Sequence, residues 1–164
     1  MKAIVAVDSN WGIGFCGHLL FNLPKDMKHF RDTTIGKTII YGTKTLKSLP
    51  DGKPLKNRTN IIMSRNPDLE VPGATVVHDI KELKAAVDIN SEDVYVIGGE
   101  QIYKLLLPYC SHVVVTKVFT TAPAITAQFP INLDFAPDWF SHDDGINHQD
   151  GGYTCRIVHY QRNE

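Results

Sequence analysis

An aspartate lies within the apolar segment HLLFNLPKDMKHF, residues 18–30, and its position there needs an explanation. Pro24 suits the first turn of a helix, because proline lacks the N–H group that would be unpaired there. Leu23, Met27 and Phe30 then lie on one face of that helix, and Asp26 lies at its margin. A first-turn acid is stabilised by the helix dipole, by about 0.3–1 kcal/mol. Because an unpaired buried carboxylate is costly, either Asp26 faces water or a partner lies opposite it.

Two glycine-containing segments, GTKT at 42–45 and GGEQ at 98–101, each separate a strand-like run from a helix-like segment. Glycine lets the backbone approach a ligand closely, and the free N–H groups of a helix start bind phosphate. Lys44 and Arg65 follow neighbouring strand-like runs and add positive charge. Two such junctions in one domain suit a dinucleotide, although tight strand-to-helix packing explains each junction equally well on its own.

Three further segments resemble phosphate-, calcium- or metal-binding motifs only in part. GKT at 36–38 lacks the glycine that a phosphate loop requires five residues earlier. DSNWG at 8–12 begins like a calcium loop, but glycine and leucine occupy later ligand positions. HDDGINHQDGG at 142–152 is rich in histidine and aspartate, yet its spacing matches no standard ligand set. We expect a solvated hairpin turn there, and no bound metal.

Composition and charge narrow the class of protein. The 164 residues are 43% hydrophobic and 21% charged, which is typical of one globular domain with a substantial core. A net charge of −1 indicates no basic surface for nucleic acid or membrane. The three cysteines contain no CxxC pair, so we expect neither a disulfide framework nor a zinc ribbon, but a reducing cytoplasm. The apolar run 3–7 is too short for a signal peptide or a membrane span.

Short apolar runs alternate with helical patterns along most of the chain. We predict strands at 3–7, 38–41, 60–64, 75–77, 94–97 and 112–118, and helices at 24–33, 43–49, 80–87 and 100–107. Asp79 is a good N-cap for the third helix, with Glu82 three residues later. Buried β-branched runs separated by helices favour a largely parallel sheet covered on both faces. Ligands of such sheets bind beyond the carboxyl ends of the strands.

The last part of the chain has a different pattern. The strand-like runs 139–142 and 153–161 have no helix between them, and a turn-rich segment joins them. They predict an antiparallel hairpin at the edge of the sheet. The chain has no linker, low-complexity tract or internal repeat, so we expect a single domain over residues 1–164.

Six segments, in order and at compatible spacing, resemble the dihydrofolate reductase family. They are IVAVDSNWGIG, GHLLFNLPKDMKHFR, IIYGTKTLKSLP, PLKNRTNIIMS, VYVIGGEQIY and VVVTKV, and together they span nearly the whole chain. The resemblance implies NADPH-dependent reduction of 7,8-dihydrofolate. It also implies an α/β fold with a central eight-stranded, mostly parallel sheet, an antiparallel C-terminal edge and helices on both faces.

The resemblance gives Asp26 a partner. In this family the helix acid binds the 2-amino group and N3 of the pterin, and Thr116 matches the threonine that hydrogen-bonds to it. Arg58 matches the arginine that binds the α-carboxylate of folate, because a planar guanidinium fits two carboxylate oxygens. The other implied substrate contacts, several of which are equally typical of an ordinary core, are Ile4, Val5, Ala6, Met27, Phe30, Leu49, Leu55, Ile97 and Tyr103.

The resemblance implies NADPH as cofactor. Gly98 and Gly99 match the pyrophosphate turn, where the family has a cis Gly-Gly peptide. Ser64, Arg65 and His78 match positions around the adenosine 2′-phosphate, where cations favour NADPH over NADH. The remaining implied cofactor contacts are Ala6, Ile13, Gly14, His18, Leu19, Gly42, Thr43, Lys44, Thr45, Ile97, Glu100, Gln101, Ile102, Tyr103 and Thr126.

The implied chemistry is hydride transfer from nicotinamide C4 to pterin C6, with protonation at N5. Water admitted by the loop 13–20 is the implied proton donor, and Asp26 raises the basicity of the bound pterin. The implied catalytic residues are Asp26, Thr116, Phe21 and Leu19.

Several positions depart from the family pattern. Phe21 stands where the family has tryptophan, so the indole N–H that holds an ordered water is lost. Leu20 replaces a proline and leaves the loop backbone freer. Thr43 stands where many members carry arginine. The family has an Asp-Thr pair whose carboxylate steadies the loop 13–20. In this chain either 125–126 or 126–127 stands at that place, and neither contains an acid. We expect these changes to affect turnover and loop gating rather than the fold.

Two other interpretations of the sequence remain open. A non-catalytic ligand-binding or assembly protein on the same fold would explain Phe21 and the missing carboxylate, and a related pyrimidine reductase would not need Arg58. Asp26, Thr116 and Arg58 together favour an active reductase. We expect a cytoplasmic monomer whose partner is the small molecule dihydrofolate, with no nucleic-acid or membrane partner.

Overall fold

A central β-sheet forms the frame of the molecule, and the computed structural model describes residues 1–163. In chain order the elements are β1 (Lys2–Val7), β2 (Gly12–Gly14), α1 (Pro24–Thr34), β3 (Thr38–Gly42), α2 (Thr43–Ser48), β4 (Thr59–Met63), β5 (Ala74–Val77), α3 (Ile80–Ala86), β6 (Val94–Gly98), α4 (Glu100–Leu106), β7 (His112–Val118), β8 (Ala127–Gln128), β9 (Trp139–His142), β10 (His148–Asp150) and β11 (Tyr153–Arg162). Each predicted strand and helix is present, with ends that differ by at most one residue.

The sheet has the predicted, mostly parallel topology. Eight strands follow one another in the order β10-β11-β7-β1-β6-β3-β4-β5, and β9 pairs with the far end of β11. All pairs from β7 to β5 are parallel, whereas β11 runs antiparallel to β7, β9 and β10. The predicted antiparallel edge is therefore confirmed. None of the described helices is long and apolar enough to span a membrane.

Helices cover both faces of the sheet because successive strand residues point to opposite sides. On β1, Ala3 and Val5 join the cluster that includes Leu83 of α3 and Leu106 of α4. Ile4 joins the opposite cluster, which Phe30 of α1 and Leu46 of α2 pack against. Near-continuous apolar strands are thus buried on two sides, as their composition predicts.

The sheet separates between β1 and β6. β1 pairs with β7 along its whole length, from Lys2 to Val7, but with β6 only at Lys2 and Ala3. The carboxyl halves of these neighbouring strands therefore leave a gap that no backbone hydrogen bonds close. A ligand that enters at this edge reaches the middle of the sheet.

Three short strands were not predicted, and one of them corrects the interpretation of the segment 142–152. β10 pairs with β11 instead of lying in an open turn, and Asp150 at its end is only 3% exposed. The solvated-turn prediction was therefore wrong for Asp150. β2 and β8, which pair with each other, were also missed. Strands of two or three residues carry too little periodicity to be recognised.

Asp8 organises the loop that follows β1. Its side chain is buried, and one oxygen accepts hydrogen bonds from the N–H groups of Asn10 and Gly12, at 2.9 and 2.8 Å. The other oxygen accepts a bond from the N–H group of Ala122, at 2.9 Å. A carboxylate that satisfies three backbone donors ties this loop to the segment after β7.

Replacing Asp8 should therefore destabilise the protein. In Asp8→Ala three N–H groups lose their acceptor, and we expect the free energy of unfolding to fall by about 2–3 kcal/mol. Urea denaturation measures this change. Asp68→Ala, which alters an exposed aspartate, is the control and should have almost no effect. Equal stability of the two variants would show that the Asp8 bonds contribute little.

Candidate active site

One large cleft opens at the carboxyl ends of the parallel strands. Its volume is about 2040 Å³, and it is lined by β1, the loop 13–22, α1, the starts of α2 and α4, and Thr116 of β7. A pocket for one drug-sized molecule usually measures about 300–1,000 Å³, so this cleft has room for two ligands side by side. All residues predicted to bind substrate or cofactor lie on its walls. The structure thus brings the predicted residues together, while their individual roles stay predictions.

Asp26 and Thr116 meet on the wall of the cleft. Asp26 is in the first turn of α1, and Thr116 is a buried residue of β7 whose hydroxyl group donates a hydrogen bond of 2.6 Å to Oδ1 of Asp26. Oδ1 keeps one lone pair and Oδ2 accepts no hydrogen bond from the described residues, so both oxygens can accept a hydrogen bond from a ligand. Asp26 is half-buried at the edge of the cleft, and Thr116 is the partner that its position in the sequence called for.

The surroundings of Asp26 favour its neutral form. Burial raises the pKa of Asp26 above its ordinary value, and the nearby carboxylate of Asp150 raises it further. The hydrogen bond from Thr116 and the positive potential of His29 and His148 lower the pKa and oppose this effect. Burial is the largest cause, so ionised Asp26 is stabilised less here than in water. A ligand that donates two hydrogen bonds to the carboxylate would compensate for this loss.

Arg58 lies at the outer end of the same wall. Its Nε donates to Oγ1 of Thr34 at 3.1 Å, and its guanidinium lies 5.9 Å from the centre of the Phe30 ring. Burial, together with the neighbouring Arg31, lowers the pKa of Arg58, although the side chain remains a cation at neutral pH. The guanidinium is thus held in place beside a second positive charge, a setting that favours an anionic ligand.

The other half of the cleft, called the glycine-built half below, is lined by the Gly98–Gly99 turn and the starts of α2 and α4. The Gly98–Gly99 peptide is cis, and Gly98 has φ +132°, a conformation that L side chains rarely adopt. A Cβ atom on Gly98 would lie 3.2 Å from Oγ1 of Thr45, so a side chain would fill the space between the two helix starts. Tyr103 supports the turn from behind, since its hydroxyl group donates to the carbonyl of Ile4 at 2.7 Å. This narrow, backbone-lined space fits a pyrophosphate group.

His78 marks the far end of the glycine-built half. Its Nδ1 lies 3.0 Å from Oε2 of Glu82, and this contact raises the pKa of His78. Its Nε2 is buried and has no hydrogen-bond partner among residues 1–163. Lys44 and Arg65, both exposed, line the same end of the cleft. Two cations and an unpartnered imidazole nitrogen suit a phosphate monoester, the group that distinguishes NADPH from NADH.

The loop over the cleft is held by a hydroxyl group instead of a carboxylate. Oγ1 of Thr126 accepts a hydrogen bond of 2.7 Å from the N–H group of Cys16, and the N–H group of Thr126 donates to the carbonyl of Gly14. The antiparallel pairing of β2 with β8 adds further backbone contacts between the same two segments. Thr126 thus ties this loop to the segment before β8 through its side chain and its backbone.

Phe21, which the family resemblance aligns with a tryptophan, lies on the wall of the cleft. Its ring packs on Tyr153 of β11, with 4.8 Å between ring centres. A small pocket beside it, lined also by Asp26 and Met27, has a volume of about 30 Å³, which is enough for one water molecule. Phe21 and Leu19 both line the cleft, and their implied catalytic roles stay predictions.

A half-buried acid hydrogen-bonded to a threonine, and a glycine turn at a helix start in the same cleft, are features typical of dinucleotide-dependent reductases. Comparison with known proteins agrees. The family model for dihydrofolate reductase matches residues 1–162. Dihydrofolate reductase of Bacillus subtilis (strain 168) is 42% identical over 117 residues, which cover 70% of this chain and 67% of that protein. Dihydrofolate reductase of Staphylococcus haemolyticus is 32% identical over 164 residues, covering 99% and 95% of the two chains.

A solved structure gives the same result. Dihydrofolate reductase from Enterococcus faecalis, complexed with NADP(H) and RAB-propyl, superimposes with a TM-score of 0.83 and 32% identity over 99% of this chain and 96% of that one. The chain belongs to the dihydrofolate reductase family, whose members reduce dihydrofolate with NADPH. The family, the fold class, the activity and the cofactor predicted from the sequence are confirmed.

The pKa of Asp26 leads to a prediction about stability. Because folding raises this pKa above its ordinary value of 3.8, ionised Asp26 destabilises the folded protein, and the penalty is complete only above the folded-state pKa. Asp26→Asn should therefore increase the free energy of unfolding at neutral pH, and the gain should shrink as the pH falls through the folded-state pKa and vanish below about 3.8.

Urea denaturation of the ligand-free protein at several pH values measures this difference. Asp32→Asn is the matched control on the same helix, because Asp32 is exposed and its hydrogen bond to Lys28 lowers its pKa. The control should lose a little stability at neutral pH, which is the opposite sign. A loss of stability in Asp26→Asn would contradict the assignment of a desolvated carboxylate.

Proposed function

We propose that this chain reduces 7,8-dihydrofolate to tetrahydrofolate with Asp26 and Thr116 as the residues that hold the pterin. The observation that carries the proposal is the 2.6 Å hydrogen bond between these two side chains on the wall of the cleft. With Oδ1 hydrogen-bonded to Thr116, the carboxylate is oriented to accept two N–H groups from an N–C–N edge, such as the 2-amino group and N3 of a pterin.

Apolar side chains enclose the space in front of Asp26. Ile4, Ala6, Phe30 and Leu49 line this part of the cleft, and the loop residues Leu19 and Leu20 lie opposite. Water excluded by these side chains no longer competes for the carboxylate, so its hydrogen bonds to the pterin become stronger. Arg58 then binds the carboxylate at the other end of the substrate, since its fork is already oriented by Thr34.

The glycine-built half of the cleft holds NADPH. Bound there, the cofactor supplies a hydride to the pterin. The chain positions the pyrophosphate at Gly98, Gly99 and Thr45, and the 2′-phosphate near Arg65 and His78. Ile13, Gly14, His18 and Leu19 of the loop close over the nicotinamide end. The protein thus supplies position and exclusion of water rather than covalent chemistry.

Protonation of N5 needs a donor other than Asp26, whose carboxylate faces the opposite edge of the pterin in this arrangement. The small pocket beside Phe21 has room for one water molecule and adjoins Asp26. The Phe21 ring donates no hydrogen bond, so such a water would be held by fewer groups than beside a tryptophan. A negative charge on Asp26 makes the bound pterin more basic, and the proton then arrives from water.

The protein is further proposed to act as a monomer in the cytoplasm. A net charge of −1 supports the absence of a nucleic-acid partner, because no excess of cations is present. The thiols Cys16, Cys110 and Cys155 are all free, which suits a reducing compartment.

One assay tests the proposed function directly. Mixing the protein with NADPH and dihydrofolate should consume NADPH, and the loss of its absorbance should be proportional to the protein concentration. Absence of consumption above background at high protein concentration would support the non-catalytic alternative. Equal use of a pteridine that lacks the glutamate tail would instead favour a reductase without the Arg58 contact.

The catalytic role of Asp26 is tested by Asp26→Asn. Asparagine keeps the shape but removes the charge, so hydride transfer at neutral pH should fall by about 10²–10⁴-fold. Lower pH should partly restore the rate, because the substrate then binds already protonated. Stopped-flow measurement of hydride transfer across a pH series gives the result, with Asp32→Asn as a control that retains the original profile. Superimposed profiles for Asp26→Asn and the unaltered protein would exclude a catalytic role.

The role of Arg58 is tested by Arg58→Leu. We expect folate binding to weaken by about 2–5 kcal/mol if the charge pair is desolvated, with NADPH affinity unchanged. Lys56→Leu makes the same change in charge on the same loop but outside the cleft, and should leave folate affinity nearly intact. If pteridines without a glutamate tail lose as much affinity as folate does in Arg58→Leu, Arg58 does not bind the carboxylate.

The choice of cofactor is tested by Arg65→Glu. The unaltered protein should prefer NADPH over NADH in kcat/KM, and the reversed charge should reduce this preference mainly through KM. Lys56→Glu, which reverses a charge outside the cleft, should preserve it. Equal use of both cofactors by the unaltered protein would contradict the assignment of a 2′-phosphate site.

A further inference from the structure

The turn between β10 and β11 holds the start of α1, the helix that carries Asp26. Oδ2 of Asp150 accepts a hydrogen bond of 2.8 Å from the N–H group of Asp26. Oδ1 of Asp150 accepts a bond of 3.1 Å from the N–H group of Lys25, and Nζ of Lys25 donates to the carbonyl of Gln149 at 2.7 Å. These three bonds join segments more than a hundred residues apart in the chain.

The helix needs this contact because no side chain near its own start supplies a cap. Leu23 is the N-cap residue, and it makes no side-chain capping bond. The first N–H groups of a helix lack partners within the helix, so they require an outside acceptor. Asp150, 3% exposed, provides one from the neighbouring hairpin. Gly151, with φ +58°, permits the close approach, since a Cβ atom there would collide with the carbonyl oxygen of Asn22.

We propose that Asp150 is a positioning residue for the reaction, because it fixes the backbone of Asp26 and adds a second negative charge behind the pterin subsite. The inference rests on the proposed role of Asp26 in binding the pterin. Asp150 is not among the residues that line the cleft, so a substrate bound there would not contact it. It acts through Asp26, by orientation and by charge.

The charge of Asp150 acts together with the other groups that face Asp26. These are His29 on α1, Thr116 on β7, His148 on β10 and the thiol of Cys155 on β11. Asp150 raises the pKa of Asp26, whereas Thr116, His29 and His148 lower it. With Asp150 neutral, the pKa of Asp26 falls. The subsite also becomes less negative, so a bound pterin is protonated less readily at a given pH.

Asp150→Asn tests the inference, since it removes the charge and keeps the size of the side chain. Hydride transfer decreases as the pH rises and protonated pterin becomes scarce, and the midpoint of this decrease should move to lower pH in the variant. Above the midpoint, the rate should fall about two- to fivefold, the scale of a charge near a helix N-terminus. NADPH affinity should not change. A profile that superimposes on that of the unaltered protein would overturn the proposal.

A second measurement separates this inference from the proposed function. Carbon NMR titration of the Asp26 carboxyl group in the ligand-free protein should give a lower pKa in Asp150→Asn. A shift in this pKa without reductase activity in the unaltered protein would refute the proposed function alone. An unchanged pKa would refute the role of Asp150.

Two variants exclude a merely structural effect. Asp79→Ala removes a comparable cap, the 2.8 Å bond from the N–H group of Glu82 at the start of α3, and should lower stability without moving the pH profile. Asp150→Glu keeps the charge and should keep the original midpoint. If Asp150→Asn does not fold, Asp150→Ser, which retains an acceptor oxygen without charge, should show the same shift. A midpoint that moves equally in Asp79→Ala would contradict the inference.

Discussion

A carboxylate that is removed from water must find its stabilisation in the protein, and in this molecule that constraint acts at Asp26. Burial opposes its ionisation, and the groups that compensate come from different parts of the chain. Thr116 on a central strand and His148 on an edge strand lower the pKa of Asp26, whereas Asp150 raises it and accepts a hydrogen bond from the N–H group of Asp26. The strands that carry these groups, β10 and β7, are joined in the sheet by β11.

β1 and β6 separate towards their carboxyl ends, and this separation opens the cleft that Asp26 lines. β1 is paired fully with β7, so the side that carries Thr116 is rigid, whereas its other edge leaves β6 after two residues. Gly98 ends β6, and a Cβ atom there would lie 3.2 Å from Oγ1 of Thr45 at the start of α2. The acid and the glycine turn thus lie on opposite sides of one opening. The cleft at this opening has room for two ligands.

Sequence patterns predicted the parallel sheet well, because buried β-branched runs with helices between them are strong local signals. Asp79 was correctly assigned as an N-cap for the same reason, since its partner Glu82 is three residues away. Sequence patterns did not predict hydrogen bonds between residues that are distant in the chain. Asp150 looked like one of several turn aspartates, and only the fold places it at the start of α1. Asp8, which joins Gly12 to Ala122, was missed for the same reason.

The loop over the cleft carries an exposed cysteine, Cys16, whose N–H group is hydrogen-bonded to Thr126. Cys110 and Cys155 are buried, whereas Cys16 is exposed and adjoins both the cleft and the contact with Thr126. A thiol reagent should therefore attach to one position of the native chain without prior mutagenesis. A fluorophore at Cys16 would report each departure of the loop from Thr126 as a change in emission, so that the opening rate becomes measurable independently of turnover.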